Sequence, residues 1–292
     1  MKKVIVIISM IFFVNCSNRE TIVDKNDLLG MDYRLFQNTP AWTLAKAVED
    51  EDLTKIREEV IKNKLIVNFQ EPRFGGSLLM FAIYHNQYKS CEALLKLGAN
   101  PNLKDNKRGS NAVIYAADNE DLKYLKLILS YKGDPNSLET KPTTDGDQAR
   151  KTPLNMAISC NSAHSLEKVK LLVEAGGDIN YFNDGPKIYT RLPLADAITL
   201  EKADIILYLL QKGANYKNAI YTRVDGTRIY ILEALRQCVI DLDSEQYNYK
   251  LKVIEFLKEK GLDYKNEPVP NYILKEIKTK HPNDWEEYLK KY

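Results

Sequence analysis

Apolar positions along this chain recur in short helical bursts, not in one long run. Between Ser77 and Asn102, the residues Leu79, Ala82 and Ile83 fall at i, i+3 and i+4, which places them on one face of a helix. The turn at 85–87 interrupts the pattern. A second burst follows, with Cys91, Leu94 and Leu95 on its inner face. Gly98 ends it, because glycine accepts left-handed backbone, and Asn100-Pro101-Asn102 supplies turn chemistry. A helix pair this small cannot bury its own apolar face and needs copies of itself on both sides.

The same offsets recur along the chain. From Val113 they give Ala116-Ala117, Ile128-Leu129 and Lys132-Gly133, followed by Asp134-Pro135-Asn136. From Leu194 they give Ala197-Ile198, Leu209-Leu210 and Gly213-Ala214. Leu44 begins a weaker first copy. Thr152-Pro153-Leu154 opens another, lengthened around 161–163 and closed by Gly176-Gly177-Asp178-Ile179-Asn180. A last copy runs from Ile231 to Asp263 with an insertion near 241–249. The copies start at intervals of roughly 34 to 41 residues, the range of helical repeat arrays.

These residues resemble the ankyrin repeat. Thr152-Pro153-Leu154-Asn155-Met156-Ala157 and Leu192-Pro193-Leu194-Ala195-Asp196-Ala197 follow most of its T-P-L-H-x-A opening, and Gly98-Ala99-Asn100-Pro101-Asn102 follows its closing loop. No copy carries the histidine of that opening, and several loops are long. The resemblance implies an all-α solenoid of about six helix-turn-helix repeats over 39–266, with finger loops between repeats and helical caps. The C-terminal cap is expected over 267–292, where Tyr272, Ile273 and Ile277 form one helical stripe and Trp285, Tyr288 and Leu289 another.

The start of the chain follows another pattern. Lys2 and Lys3 precede an apolar run, Val4 to Val14, that is long enough for a signal-peptide core and too short to span a bilayer. Cys16 follows at once, then polar Ser17-Asn18-Arg19-Glu20. This resembles a bacterial lipoprotein signal, with Phe13 and Asn15 departing from the usual residues. It implies cleavage after residue 15, a lipid on Cys16, a spacer over 16–38, and export to the cell envelope, facing the periplasm or the outside. Stable anchoring by acyl chains takes more than one chain.

Charge and chemistry narrow the function. Of 42 basic and 40 acidic residues, Lys2 and Lys3 leave with the signal peptide, so the mature chain is formally neutral. That argues against broad electrostatic attraction to nucleic acid or to an anionic membrane. The three histidines, His85, His164 and His281, have no spacing that suits a metal, and no nucleophile or phosphate-loop motif is present. Asp145-Gly146-Asp147 begins like a calcium loop but meets Ala149 at the third ligand position. No cofactor, no metal and no catalytic residue is expected. Cys91, Cys160 and Cys238 lie two repeats apart from one another, too far for a disulfide, and read as small buried hydrophobes.

What remains is another protein as partner. The resemblance implies a concave surface lined by fingers and first helices. Two sets of finger residues are rich in the aromatic and arginine side chains that dominate binding hot spots: Phe69, Arg73 and Phe74, and then Tyr189, Arg191, Tyr221 and Arg223. The expectation is a monomeric, non-enzymatic protein-binding scaffold on the bacterial envelope. Its sharper form, carried by resemblance, is an immunity protein against a toxin; the alternative is an accessory that stabilises an exported enzyme.

Overall fold

Each helix pair expected from the spacing is present in the computed structural model, which describes residues 19–140, 150–182 and 192–292. The pairs are α1 (Trp42–Glu49) with α2 (Leu53–Lys62), α3 (Leu78–Tyr84) with α4 (Tyr88–Lys96), and α5 (Ala112–Asp118) with α6 (Leu122–Ser130). They continue as α7 (Pro153–Ser159) with α8 (Ser165–Glu174), α9 (Pro193–Thr199) with α10 (Ala203–Gln211), and α11 (Ile231–Leu235) with α12 (Glu245–Glu259). Two further helices, α13 (Asn271–Lys280) and α14 (Trp285–Lys291), close the array. A two-residue hairpin, β1 (Tyr221–Thr222) with β2 (Arg228–Ile229), is the one sheet among the described residues. Part of the insertion expected near 241–249 is helix: α12 begins at Glu245 and runs for 15 residues.

The helices start and stop where local chemistry tells them to. Ser77, Asn111 and Thr152 accept backbone N–H groups at the N-termini of α3, α5 and α7, and Thr152 with Asn155 completes a capping box. Gly98, Gly176, Gly213 and Gly261 leave the second helices at φ between 84° and 97°. Lys132 takes the same place after α6 at φ 63°, a strained choice for a residue with a Cβ. The first helices stack on one another from α3 to α9 and the second helices pack behind them, so one apolar core runs from Phe36 to Tyr264. Leu79, Ala82, Ile83, Leu94 and Leu95 are all buried in it. Each fully buried Leu or Ile contributes roughly 1.5–3 kcal/mol.

Two polar ladders fix the register between repeats. Asn68, Asn102 and Asn136 each donate to the backbone of the next repeat, at Gly98, Lys132 and Gly176, over 2.9–3.2 Å. Each also accepts an amide from it, and Asn180 accepts that of Asn215. The second ladder serves the carbonyls left open where a first helix ends. Ser90 and Gln87 reach back to Val48 and Glu49, and Asn119 reaches Ile83. Further along, lysines take over. Lys168, fully buried, donates to Ala117 O and Asn119 O, and Lys202 donates to Ile158 O at 2.6 Å and Cys160 O at 3.0 Å. A lysine amine at a helix C-terminus also meets the negative end of the helix dipole.

Both ends of the array are covered. Residues 19–38, expected to act as a spacer, fold back on α1: Leu28, Leu35 and Phe36 are buried. Gln37 holds the segment by donating to Arg19 O and Thr21 O and accepting from Val23 N. At the other end Ile273, Ile277, Tyr288 and Tyr292 form a small second core, with Trp285 and Leu289 packed against it. Tyr272 departs from the expected stripe. It is half exposed, because a helix turns about 100° between neighbours and Ile273 takes the inward place. Cys91, Cys160 and Cys238 are buried free thiols, and burial pushes the thiols of Cys91 and Cys238 up to about 12. No helix among the described residues is long and apolar enough to cross a membrane.

Candidate partner-binding surface

The fingers are built around inward-turned carboxylates. Glu71, Asp105 and Glu139 stand 34 residues apart and are 2%, 6% and 1% exposed. Glu71 accepts the amides of Arg73, Phe74 and Gly76, and Asp105 those of Lys107, Arg108 and Gly109, at 2.8–3.1 Å. Glu139 accepts the amide of Lys151, the hydroxyl of Ser110 and the guanidinium of Arg108. A carboxylate can accept several N–H groups at once, so one side chain folds a whole finger. Neighbouring fingers then pair edge to edge, Asn106 N donating to Phe74 O and Thr140 N to Arg108 O. Glycine is required where they touch. A Cβ on Gly109 would sit 2.0 Å from Thr140 Oγ1, and one on Gly75 2.8 Å from Asn106.

The expected contact residues fall at opposite ends of this edge. Phe69 is half-buried against Phe36, ring centroids 6.4 Å apart. Arg73 lies 4.5 Å from the Phe74 ring and donates to the carbonyls of Leu28 and Lys25, tying the first finger to the N-terminal segment. Tyr221 and Arg223 lie together on the last finger and turn onto α11. The Tyr221 hydroxyl donates to Gln237, and Arg223 pairs with Glu233 at 3.0 Å and reaches the Tyr272 hydroxyl at 3.2 Å. Burial raises the pKa of Tyr221, and the bond to Gln237 works the other way. Tyr221 also lines a groove of about 340 Å³ with Ile198, Thr199 and Gln237, between α9 and α11. Tyr189, Arg191, Cys16 and the Asp145–Asp147 stretch lie outside the described residues.

The larger opening is at the N-terminal end and was not anticipated from the sequence. A groove of about 800 Å³ runs between the N-terminal segment and α3, lined by Val23, Leu29, Met31, Tyr33, Phe81 and Tyr84 among others. Leu29 is 84% exposed and Tyr84 58%. One wall is fixed by His85, whose Nε2 lies 2.7 Å from Met31 O. Asp32 stands beside it; burial works against its ionised form, but its hydrogen bonds from Arg34 outweigh that and hold its pKa below the usual value. The available signals were the apolar patch Leu28-Leu29-Gly30-Met31 and the aromatic pair in Tyr33-Arg34-Leu35-Phe36. Among the described residues no group of three or more histidines, cysteines or carboxylates is placed to hold a metal ion.

Known proteins are similar in sequence to this chain. The family model for ankyrin repeats fits three overlapping stretches, residues 44–139, 79–183 and 113–219. An ankyrin repeat protein of Acanthamoeba polyphaga mimivirus is 25% identical over 165 residues, 54% of this chain and 22% of that protein. Ankyrin repeat and SOCS box protein 6 of Homo sapiens is 27% identical over 143 residues, 47% of this chain and 32% of that protein. An ankyrin repeat protein of fowlpox virus is 31% identical over 119 residues, covering 40% and 32%. The chain spans about a third or less of the length of these curated relatives. A crystal structure of an ankyrin repeat protein aligns with 74% of this chain and 96% of that one at 21% identity, with a TM-score of 0.48.

Proposed function

The chain belongs to the ankyrin repeat family, and on that premise we propose that it is a non-enzymatic, monomeric scaffold that holds another protein against its fingers and first helices. The observation that carries this reading is the division of labour along the finger edge. Carboxylates and glycines are spent inside the fingers, while Val224 and Tyr230 stand exposed on the last finger. A surface already held by its own hydrogen bonds loses little freedom when a partner arrives. Tyr189, Arg191, Tyr221 and Arg223, with Phe69, Arg73 and Phe74, are the residues proposed to meet that partner.

The second part of the proposal is location. The apolar run Val4 to Val14, with Cys16 just after it, supports a lipid-anchored protein of the bacterial cell envelope. In its sharpest form the partner is a toxin that the scaffold neutralises; in the other it is an exported enzyme that the scaffold stabilises. The test is capture of partners by the full chain in the envelope fraction, together with Cys16→Ser. Movement of Cys16→Ser from the membrane pellet to the soluble fraction supports the tether, and unchanged fractionation with normal processing contradicts it. Protection of cells from a captured toxin supports immunity; loss of a captured enzyme's activity without the scaffold supports the accessory role. Failure to hold any protein contradicts the scaffold.

A further inference from the structure

The formal neutrality of the mature chain hides a separation of charge. The described finger segments are 69–76, 103–110, 137–140 with 150–151, and 216–230. Their acidic residues are Glu71, Asp105, Glu139 and Asp225, and only Asp225 is exposed. The other three are consumed by the hydrogen bonds that fold the fingers. Of the nine basic residues in these segments, Arg73, Lys104, Lys107, Lys217 and Arg228 are exposed, with Arg73 also donating to Leu28 O and Lys104 to Leu138 O, while Arg108, Arg150, Lys151 and Arg223 are half-buried. Among the described finger residues, building fingers on carboxylates therefore leaves the exposed charge mainly basic.

The far ends of the first helices show the reverse. In the turns that lead into the second helices, Asp50, Asp52, Asp118, Glu120, Asp241 and Asp243 are exposed. The described turns 50–52, 85–87, 118–121, 160–164, 200–202 and 236–244 contain no exposed Lys or Arg. A seven-residue helix is about 10 Å long, and at physiological salt charges are screened over about 8 Å. The two edges do not cancel each other at contact range, so each presents its own sign to a partner.

We propose that the finger edge is the docking surface for an acidic segment of a partner protein, met by Arg73, Lys104, Lys107, Lys217 and Arg228. This rests on the scaffold reading and specifies the partner's chemistry. Half-exposed Tyr230 and exposed Val224 lie among these cations on the last finger, so the segment carries apolar side chains as well as carboxylates. Complementary charge steers the encounter and rejects basic competitors. A polypeptide fits better than an anionic membrane for a geometric reason. Arg19 is held to Asp50 at 2.7 Å, so the chain enters the fold at the acidic edge, and a tether ahead of it would turn the basic edge away from the lipid.

The experiment uses the full chain and a labelled glutamate-and-tyrosine peptide, with the same peptide carrying lysine for glutamate as control, followed by fluorescence anisotropy. The variants are Lys104→Glu/Lys107→Glu and, on a separate finger, Lys217→Glu/Arg228→Glu, each checked for an unchanged thermal midpoint. Asp118→Lys/Glu120→Lys tests the opposite edge. The acidic peptide is expected to bind, to weaken with salt, and to lose at least about tenfold in affinity in each finger variant but not in the turn variant. Equal affinity in wild type and both finger variants, or displacement of the peptide by phosphatidylglycerol vesicles, overturns the inference. The scaffold reading is judged separately. A captured protein that binds wild type and both finger variants alike overturns the charge inference alone, whereas no captured protein at all overturns the scaffold.

Discussion

Residues 44–219 and residues 220–292 stack the same kind of helix pair, yet they are held by different means. In the first stretch, which the family model covers, the bonds repeat with the sequence. Asn68, Asn102 and Asn136 do the same work in successive repeats, as do Glu71, Asp105 and Glu139 in successive fingers. In the second stretch the period stops and individual contacts take over. Arg236, 7% exposed, stacks 3.8 Å from the Tyr264 ring and donates to Tyr264 O and Glu267 O. Lys250, 1% exposed, lies 4.0 Å from the Tyr292 ring and donates to Cys238 O at 2.9 Å. The Tyr292 hydroxyl closes the cluster on Arg236 O. No carboxylate pairs with either cation among the described residues; π faces and carbonyls stand in for one. A repeat array can thus be extended by copying a bond, but it is ended by a set of contacts made once.

The largest test of this contrast compares cores. Phe81→Ala in α3 is expected to cost about 3–5 kcal/mol, read from urea unfolding, and to lower protection across neighbouring repeats, because each repeat is stabilised by those beside it. Ile277→Ala in the terminal core is expected to cost roughly 2–5 kcal/mol locally, with hydrogen exchange rising in α13 and α14 alone. Loss of protection throughout the array in Ile277→Ala would show that the two stretches are not separable.

The buried cation gives a pH signature. Burial pulls the Lys250 amine down from its ordinary 10.5 to about 8, with nearby Arg236 adding to the effect and Cys238 opposing it. Below pH 8 the amine is protonated in both folded and unfolded chains and the cost of burying it is fully present. Between pH 8 and 10.5 the unfolded chain binds more protons, so this residue's contribution to stability rises with pH, by an amount on the order of 3 kcal/mol. Cys238 works the other way above its ordinary range, since its folded pKa is raised, but it is common to wild type and variant. The stability of Lys250→Met relative to wild type should therefore be greatest at neutral pH and shrink by pH 10. A difference that does not change with pH would contradict a buried charged amine.

Much of this was legible in the residues. Leu79, Ala82, Ile83, Leu94 and Gly98 announce a helix pair because burial, helical period and a left-handed exit all leave a mark at fixed spacing. The fingers' position was legible for the same reason. The side of each finger that faces out was not. Tyr221 and Arg223 were read as hot spots on the fingers; the internal bonds that hold their hydroxyl and guanidinium to Gln237 and Glu233 were not legible, because those partners are set by how α11 packs. Nothing in the sequence marks Lys168, Lys202 and Lys250 as buried, since lysine is usually a surface residue. Their amines find carbonyls only after the neighbouring first helices have ended. The spacing of Glu71, Asp105 and Glu139 was present all along, and an acidic residue repeated at 34 in otherwise variable loops was the available signal.

Smaller effects sharpen the contrast. Asn102→Ala removes a donor to Lys132 O and an acceptor for Asp134 N, and should cost about 1–2 kcal/mol of stability by urea unfolding. Arg223→Ala breaks a half-exposed ion pair with Glu233 and should cost less than about 1 kcal/mol. A larger loss at Arg223 than at Asn102 would mean that the last finger is a structural strut and not a surface kept free for binding.

The central claim is that a partner is held on the finger and first-helix side. Hydrogen exchange of the full chain with and without its captured partner reads this directly. The account predicts new protection in 69–74, 103–110 and 216–230, with α2, α4, α6, α8 and α10 unchanged. Protection confined to those second helices would contradict it.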